Sequence, residues 1–154
     1  MNNYELFYLV SLTLAVFIYF YFFYSNYHNK KIVKDKMLGL DSFPVLTLKD
    51  SLKKTLDQMT SLRLGIACFV DDEGVLIGIL TDGDLRRLLL NKQDPLPSLL
   101  VSPGISFGNT KSTTVKPETP CSDALAIMKR LRVWDLPVVD NHLKLLGIYH
   151  LEID

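Results

Sequence analysis

The chain has 154 residues, 17 basic against 17 acidic, and no net charge at pH 7. So balanced a composition offers no electrostatic argument for nucleic acid as a partner. Cys68 and Cys121 lack Cys-x-x-Cys spacing, His28, His142 and His150 lack metal-ligand spacing, and there is no zinc signature, phosphate loop or nucleophile elbow.

Leu6 to Tyr24 carries no charge, and only Ser11 and Thr13 interrupt it as small polar residues. As a helix, such a run of about 19 residues reaches roughly 29 Å, close to the hydrocarbon thickness of a bilayer. Tyr4 and Tyr8 stand near one end, Tyr24 and Tyr27 near the other, where aromatic belts form. A core helix would keep a polar face, and a signal peptide would begin with basic residues; this start has Glu5. Residues 1–27 therefore read as a transmembrane anchor. His28, Lys30, Lys31, Lys34 and Lys36 follow it, so residues 28–40 read as a basic linker. The positive-inside rule places everything after the span in the cytoplasm, and buried, reduced cysteines agree with that side. The same lysines suit anionic headgroups as well as a plain stop signal.

Val45 to Thr47 reads as a short strand. Asp50 or Ser51 opens a helix with Leu52, Leu56, Met59 and Leu62 on one face. Leu64–Val70 and Val75–Leu80 are apolar runs around Asp71-Asp72-Glu73-Gly74, the pattern of a β-hairpin. At Thr81 the period changes to that of a helix, with Leu85, Leu88 and Leu89 inward. Thr81 or Asp82 caps it, and Asp84 stands where a carboxylate answers the cap. A hydroxyl, a carboxylate and free N–H groups at a helix start suit a ribose and its phosphate, although most capping boxes bind nothing. Residues 93–112 read as a connector, first proline-bearing and then rich in Gly, Ser and Thr.

The pattern then recurs. Thr113–Val115 repeats the strand, and Ser122 or Asp123 opens a helix with Leu125, Met128 and Leu131 inward. Val133–Val139 and Leu145–Tyr149 form a second hairpin around Asp140-Asn141. A gapless shift of about 69 residues places Leu56 on Leu125, Met59 on Met128, Arg63 on Arg132, Val70 on Val139, Asp71 on Asp140 and Gly78 on Gly147. Such self-similarity marks a repeated β-α-β-β-α unit. One unit, 41–92 or 113–154, is too small to bury a good core alone, so the two are expected to pack with pseudo-two-fold symmetry and a cleft between their sheets.

Gly78-Ile79-Leu80-Thr81-Asp82-Gly83-Asp84, together with Leu136-Pro137-Val138-Val139-Asp140 and Gly147-Ile148, resembles a tandem pair of cystathionine-β-synthase (CBS) domains, also called a Bateman module. The resemblance covers residues 33 to 154 and is nearest to the CBS pair that ends arabinose 5-phosphate isomerases. Those enzymes carry a sugar isomerase domain ahead of the pair, where this chain has its apolar run. The resemblance implies an α/β fold and no catalytic residues. It implies Thr81 and Asp84 as contacts to the phosphate and ribose of an adenosine ligand such as AMP or ATP. Val45, Ala67 and Cys68 would lie against the base, with Thr47 near the pocket edge. In the second unit His150 replaces the Thr and Ile153 the Asp, so a degenerate or empty site around His150 and Thr114 is expected. The chain also stops at Asp154, where a last helix should begin.

The expected protein is thus a non-enzymatic, membrane-tethered module that senses an adenine or sugar nucleotide, needs no cofactor, dimerises through its repeats and acts on an unidentified regulated partner. A ligand-free dimerisation module and the remnant of a sugar-phosphate isomerase are the alternatives.

Overall fold

The computed structural model describes residues 13–21, 31–91 and 95–151. The chain divides into two units, Met1–Lys31 and Ile32–Asp154. In the first, residues 13–21 are helical with exposed side chains. The rest of the Leu6–Tyr24 span lies outside the described residues, and among those described no helix is long and apolar enough to cross a membrane.

The second unit is built from two copies of one pattern. In the first copy β1 (Val45–Thr47) pairs parallel to β2 (Ile66–Val70), and β2 pairs antiparallel to β3 (Leu76–Thr81). Helix α1 (Leu52–Leu62) crosses between β1 and β2, and α2 (Asp82–Asn91) follows β3. A short helix α3 (Leu96–Val101) and a 3-10 turn, Gly104–Phe107, lead into the second copy. There Val115 bridges Val138 in parallel, α4 (Cys121–Leu131) follows, and β4 (Asp135–Val139) pairs antiparallel to β5 (Leu145–His150).

The 69-residue correspondence holds down to hydrogen bonds. Arg63 and Arg132 end α1 and α4, each in the left-handed region at φ 55°. The ladder shifts register between Phe69 and Val70, and again between Val138 and Val139. Asp71 Oδ1 accepts from the N–H groups of Glu73 and Val75, and Asp140 Oδ1 from those of His142 and Lys144. Gly74 takes a positive φ of 81° in the first hairpin turn, and Leu143, with a Cβ, takes 63° in the second. A side chain there carries a strain that glycine avoids.

Alternation along the strands sorts side chains into three cores, because successive residues point to opposite sheet faces. Ala67 and Phe69 of β2, with Leu46 and Leu80, pack under Leu52, Met59, Leu88 and Leu99 of the helices. Ile66 and Cys68 point the other way and meet Val139, Leu145 and Ile148 of the second copy, together with Phe43. Val33, Val115, Leu136 and Val138 pack under Ala124 and Met128 of α4. The order of layers is therefore helices, sheet, sheet, helix, with the expected pseudo-two-fold interface between the sheets. Each fully buried side chain contributes roughly 1.5–3 kcal/mol through apolar burial.

The lead-in segments cross over. Ile32 bridges Pro120 and Leu38 bridges Ile148, so the stretch before the first copy pairs with the second. Reciprocally, Pro103 bridges Ser51 and Asn109 bridges Ile79 of the first copy. Leu38 N–H donates to the Ile148 carbonyl at 2.8 Å, and Ile148 N–H returns the bond at 3.1 Å. Gly147 admits this approach: a Cβ there would collide with the Leu38 carbonyl oxygen. Of residues 28–40, a linker by charge alone, Ile32–Leu38 thus pairs with the second copy, with Val33 fully buried and Lys34, Asp35 and Lys36 left exposed. The 93–112 connector likewise contains α3 and the Gly104–Phe107 turn.

Several sequence expectations shift in detail. Ser51 is the cap of α1, accepting from Lys54 N–H at 3.3 Å. Helix α4 starts at Cys121, because Pro120, held by its bridge to Ile32, sets the entry angle; Ser122 and Asp123 fall in the first turn. Leu62, Leu89 and Leu131 are exposed near helix ends, whereas Thr55 is buried and donates to the Ser51 carbonyl at 3.0 Å. Cys68 is buried and Cys121 only half-buried; both thiols are free.

Candidate functional site

The end of β3 and the start of α2 bring Thr81 and Asp84 together as the motif requires. Asp84 Oδ2 accepts from Thr81 N–H at 2.9 Å and from Thr81 Oγ1–H at 2.7 Å, while Asp84 N–H approaches Thr81 Oγ1 at 3.3 Å. The capping box is closed, and one carboxylate oxygen is used up in it. The other, Oδ1, accepts from Arg87 Nη2 at 2.6 Å. The Asp84 side chain is 16% exposed and its guanidinium partner 67%. Asp84 and Arg87 line a cleft of about 260 Å³ with Leu88 and Asn91 of α2 and with Ser106 and Phe107. That is slightly below the ~300–1,000 Å³ usual for small-molecule sites, room for a ribose and an attached group.

Ser106 and Phe107 escaped the sequence reading. They belong to the lead-in of the second copy and reach Asp84 only because the lead-ins cross. The available signal was the repeat itself: two copies too small to stand alone must exchange some segment, but the identity of that segment leaves no local mark.

The base-contact set is not brought together. Ala67 faces the helix-covered core and Cys68 faces the intersheet core, so a single pocket does not collect both. Val45 borders the intersheet core as the partner of Cys68. Thr47 pairs with Val70, whereas Thr81 pairs with Ile66, which places them at opposite ends of β2. At about 3.3 Å per residue the two ends are roughly 13 Å apart. Thr47 is engaged instead in a second Thr-x-x-Asp closure: its N–H and Oγ1 donate to Asp50 Oδ2 at 2.8 and 3.0 Å, and Lys54 meets Asp50 Oδ1 at 2.6 Å. Burial would raise the Asp50 pKa, but the bonds from Lys54 and Thr47 hold it below the usual carboxylate value.

In the second copy His150 stands opposite Asp135 in the β4–β5 ladder, and His150 Nδ1 lies 2.7 Å from Asp135 Oδ1. The same shift of 69 puts Asp135 on Ile66, the ladder partner of Thr81, so this pairing was implicit in the repeat. Burial pushes the Asp135 pKa up, His150 opposes that, and the charge of Asp82 from the first copy adds to the rise. Burial, then the charge of Asp135, pushes the Cys68 thiol up. The imidazole is thus committed to a neighbouring carboxylate. Thr114 is half-buried just before Val115, and Glu152, Ile153 and Asp154 lie outside the described residues. No cluster of metal-binding side chains occurs among the described residues. A second cleft, of about 280 Å³, is lined by Leu56, Met59, Arg63, Gly65 and Asp82.

Two stacked β-α-β-β units with crossed lead-ins and a Thr-x-x-Asp helix start define a class of paired domain. Residues 33–91 and 106–152 match the CBS domain, and the chain belongs to the CBS-domain family. It is 34% identical over 120 residues to an uncharacterized protein of Helicobacter pylori, covering 77% of this chain and 35% of that one. It is 35% identical over 108 residues to arabinose 5-phosphate isomerase KdsD of Pseudomonas aeruginosa, covering 70% and 32%, and 29% identical over 112 residues to arabinose 5-phosphate isomerase GutQ of Escherichia coli, covering 73% and 33%. The chain spans about a third of the length of these relatives. Among solved structures it resembles CBSX2 in complex with AMP (TM-score 0.67, 24% identity, 77% of this chain and 89% of that one). It also resembles the CBS domain pair of protein MJ0100 in complex with 5′-methylthioadenosine and S-adenosyl-L-methionine (TM-score 0.66, 18% identity, 78% and 89%).

Proposed function

We propose that this chain is a regulatory CBS pair that binds one adenine nucleotide, in the first copy, at the Asp84 cleft. The observation that carries the reading is the Asp84 carboxylate, fixed by Thr81 at a helix start, paired through its second oxygen with Arg87, and lining a cleft with Phe107 in its wall. A carboxylate oxygen is a suitable acceptor for ribose hydroxyls, and a helix start favours phosphate. The AMP and S-adenosyl-L-methionine complexes of the structural neighbours support the choice of ligand class. His150, engaged by Asp135, supports an empty second half-site. Titration calorimetry with AMP, ATP, S-adenosyl-L-methionine and a sugar nucleotide tests it; one nucleotide per chain is the expected result. No heat from any of them at millimolar concentration leaves Thr81 and Asp84 as a helix cap only.

The proposed setting is a membrane, with Leu6–Tyr24 as a single span and both copies on the cytoplasmic side. The uncharged run followed by lysines supports it. A reporter active only in the cytoplasm, fused after Asp154, is expected to be active, and recovery of the chain without detergent in the soluble fraction would remove the anchor.

Self-association is a second reading with its own support. Leu89, Leu90, Leu96 and Val101 are 64%, 79%, 56% and 78% exposed around α2 and α3. Large apolar side chains left this exposed favour a contact surface. A homodimer formed there is compatible with ligand binding or can stand without it. The regulated partner and any isomerase association belong to the same proposal and rest on the named relatives alone.

A further inference from the structure

The Asp84 carboxylate is already subscribed. Oδ2 holds two donors from Thr81, and the lone pairs left for a ribose are on Oδ1, where Arg87 Nη2 sits at 2.6 Å. Arg87 reaches it by lying back over Gly83, where a Cβ would be 3.5 Å from both Arg87 Nη1 and Thr81 Oγ1. A ribose that uses Asp84 therefore meets the guanidinium first. The pair is two-thirds exposed on the Arg87 side, so solvent screens it and opening it is cheap. A released guanidinium is free to meet an anion in the cleft, and a phosphate offers it a bidentate partner.

We propose that Arg87 selects for phosphorylated ribosides, covering Asp84 Oδ1 in the empty site and yielding it when a ligand phosphate takes over the guanidinium. This rests on the reading of the Asp84 cleft as the nucleotide site. The chain contains its own control: Thr47, Asp50 and Lys54 form the same hydroxyl–carboxylate–cation arrangement at the start of α1, away from the Asp84 cleft.

Calorimetry of the full chain with AMP and with adenosine tests the role. AMP is expected to bind about tenfold or more tighter than adenosine. Arg87→Gln is expected to bring the two within about threefold, by weakening AMP while adenosine is unchanged or improved. Lys54→Gln is expected to leave the ratio where it was. Melting temperatures of both variants check that each is folded, and both side chains are more than half exposed, so neither substitution opens a core. AMP and adenosine binding alike to the unaltered chain, or an unchanged ratio in Arg87→Gln, overturns the role of Arg87 while leaving the nucleotide site standing. Binding of neither compound overturns the site and the selection together.

Discussion

Asp84 serves two purposes at once, and substitutions separate them. Asp84→Ala removes both the cap partner of Thr81 and the acceptor on the cleft side. A hydrogen bond to a charged group contributes about 1.5–3 kcal/mol, so AMP affinity in calorimetry is expected to fall roughly ten- to hundredfold. Loss of the cap costs about 1 kcal/mol of stability in the same variant, read as a lower melting temperature. Asp84→Asn keeps the shape and an acceptor for Thr81, so it is expected to lower affinity with less effect on melting. Asp135 makes a separate prediction. Its pKa is raised, burial first, against the relief from His150. A carboxyl with a folded pKa above its unfolded value of about 3.9 contributes stability that is full below that pH and is lost as pH rises through the folded value. The melting temperature of the unaltered chain, taken relative to Asp135→Asn, is thus expected to fall from about pH 4 upward. Parallel slopes in the two proteins would remove Asp135 as its source.

The crossed lead-ins are the feature with the largest consequence among the elements. Val33 is fully buried under α4, and Leu38 exchanges two backbone hydrogen bonds with β5. Their loss leaves a hole in one core and an unpaired strand edge. Burial of Val33 is worth roughly 1.5–3 kcal/mol and the two bonds about 1 kcal/mol each. A chain beginning at Gly39 is therefore expected to melt on the order of 10 °C or more below one beginning at Lys31. Equal melting temperatures would show that Ile32–Leu38 is dispensable. Phe69 gives a second measure at the same scale. Its ring is fully buried between α1 and the Gly104 turn, where a Cβ on Gly104 would lie 2.9 Å from it. Phe69→Ala is expected to cost about 3–5 kcal/mol in a denaturant titration.

For the whole molecule, assembly is tested at the exposed leucines of α2. Leu90 is 79% exposed and Leu89 64%. Replacing both with Lys removes apolar contact area without touching a core. If that side holds two chains together, light scattering at tens of micromolar is expected to show a dimer for residues 31–154 and a monomer for the double variant, with the melting curve of the variant independent of protein concentration. A clean monomer before substitution would dismiss the self-association reading.

The sequence by itself determined the repeat, the hairpins, the capping box at Thr81 and the α/β class. These features are local: periodicity, turn residues and caps are written within a few positions of the structure they form. The offset that maps Met59 onto Met128 also pairs Arg63 with Arg132, and the left-handed backbone the two share is seen only in the structure. Tertiary structure alone decided where distant segments go. Nothing near Ser106 or Phe107 says that they share a cleft with Asp84, and nothing near Ile32 says that a lysine-rich stretch pairs with the second copy. Ala67 and Cys68, adjacent in the chain, were separated by the pleat into different cores. Thr47 and Thr81 look alike in sequence, yet the direction of each strand sets them at opposite ends of one sheet. A short unit must bury its apolar faces against something, and several segments satisfy that demand equally well in sequence; the pairing of Leu38 with Ile148 and of Asn109 with Ile79 is the packing solution that closes both sheets at once.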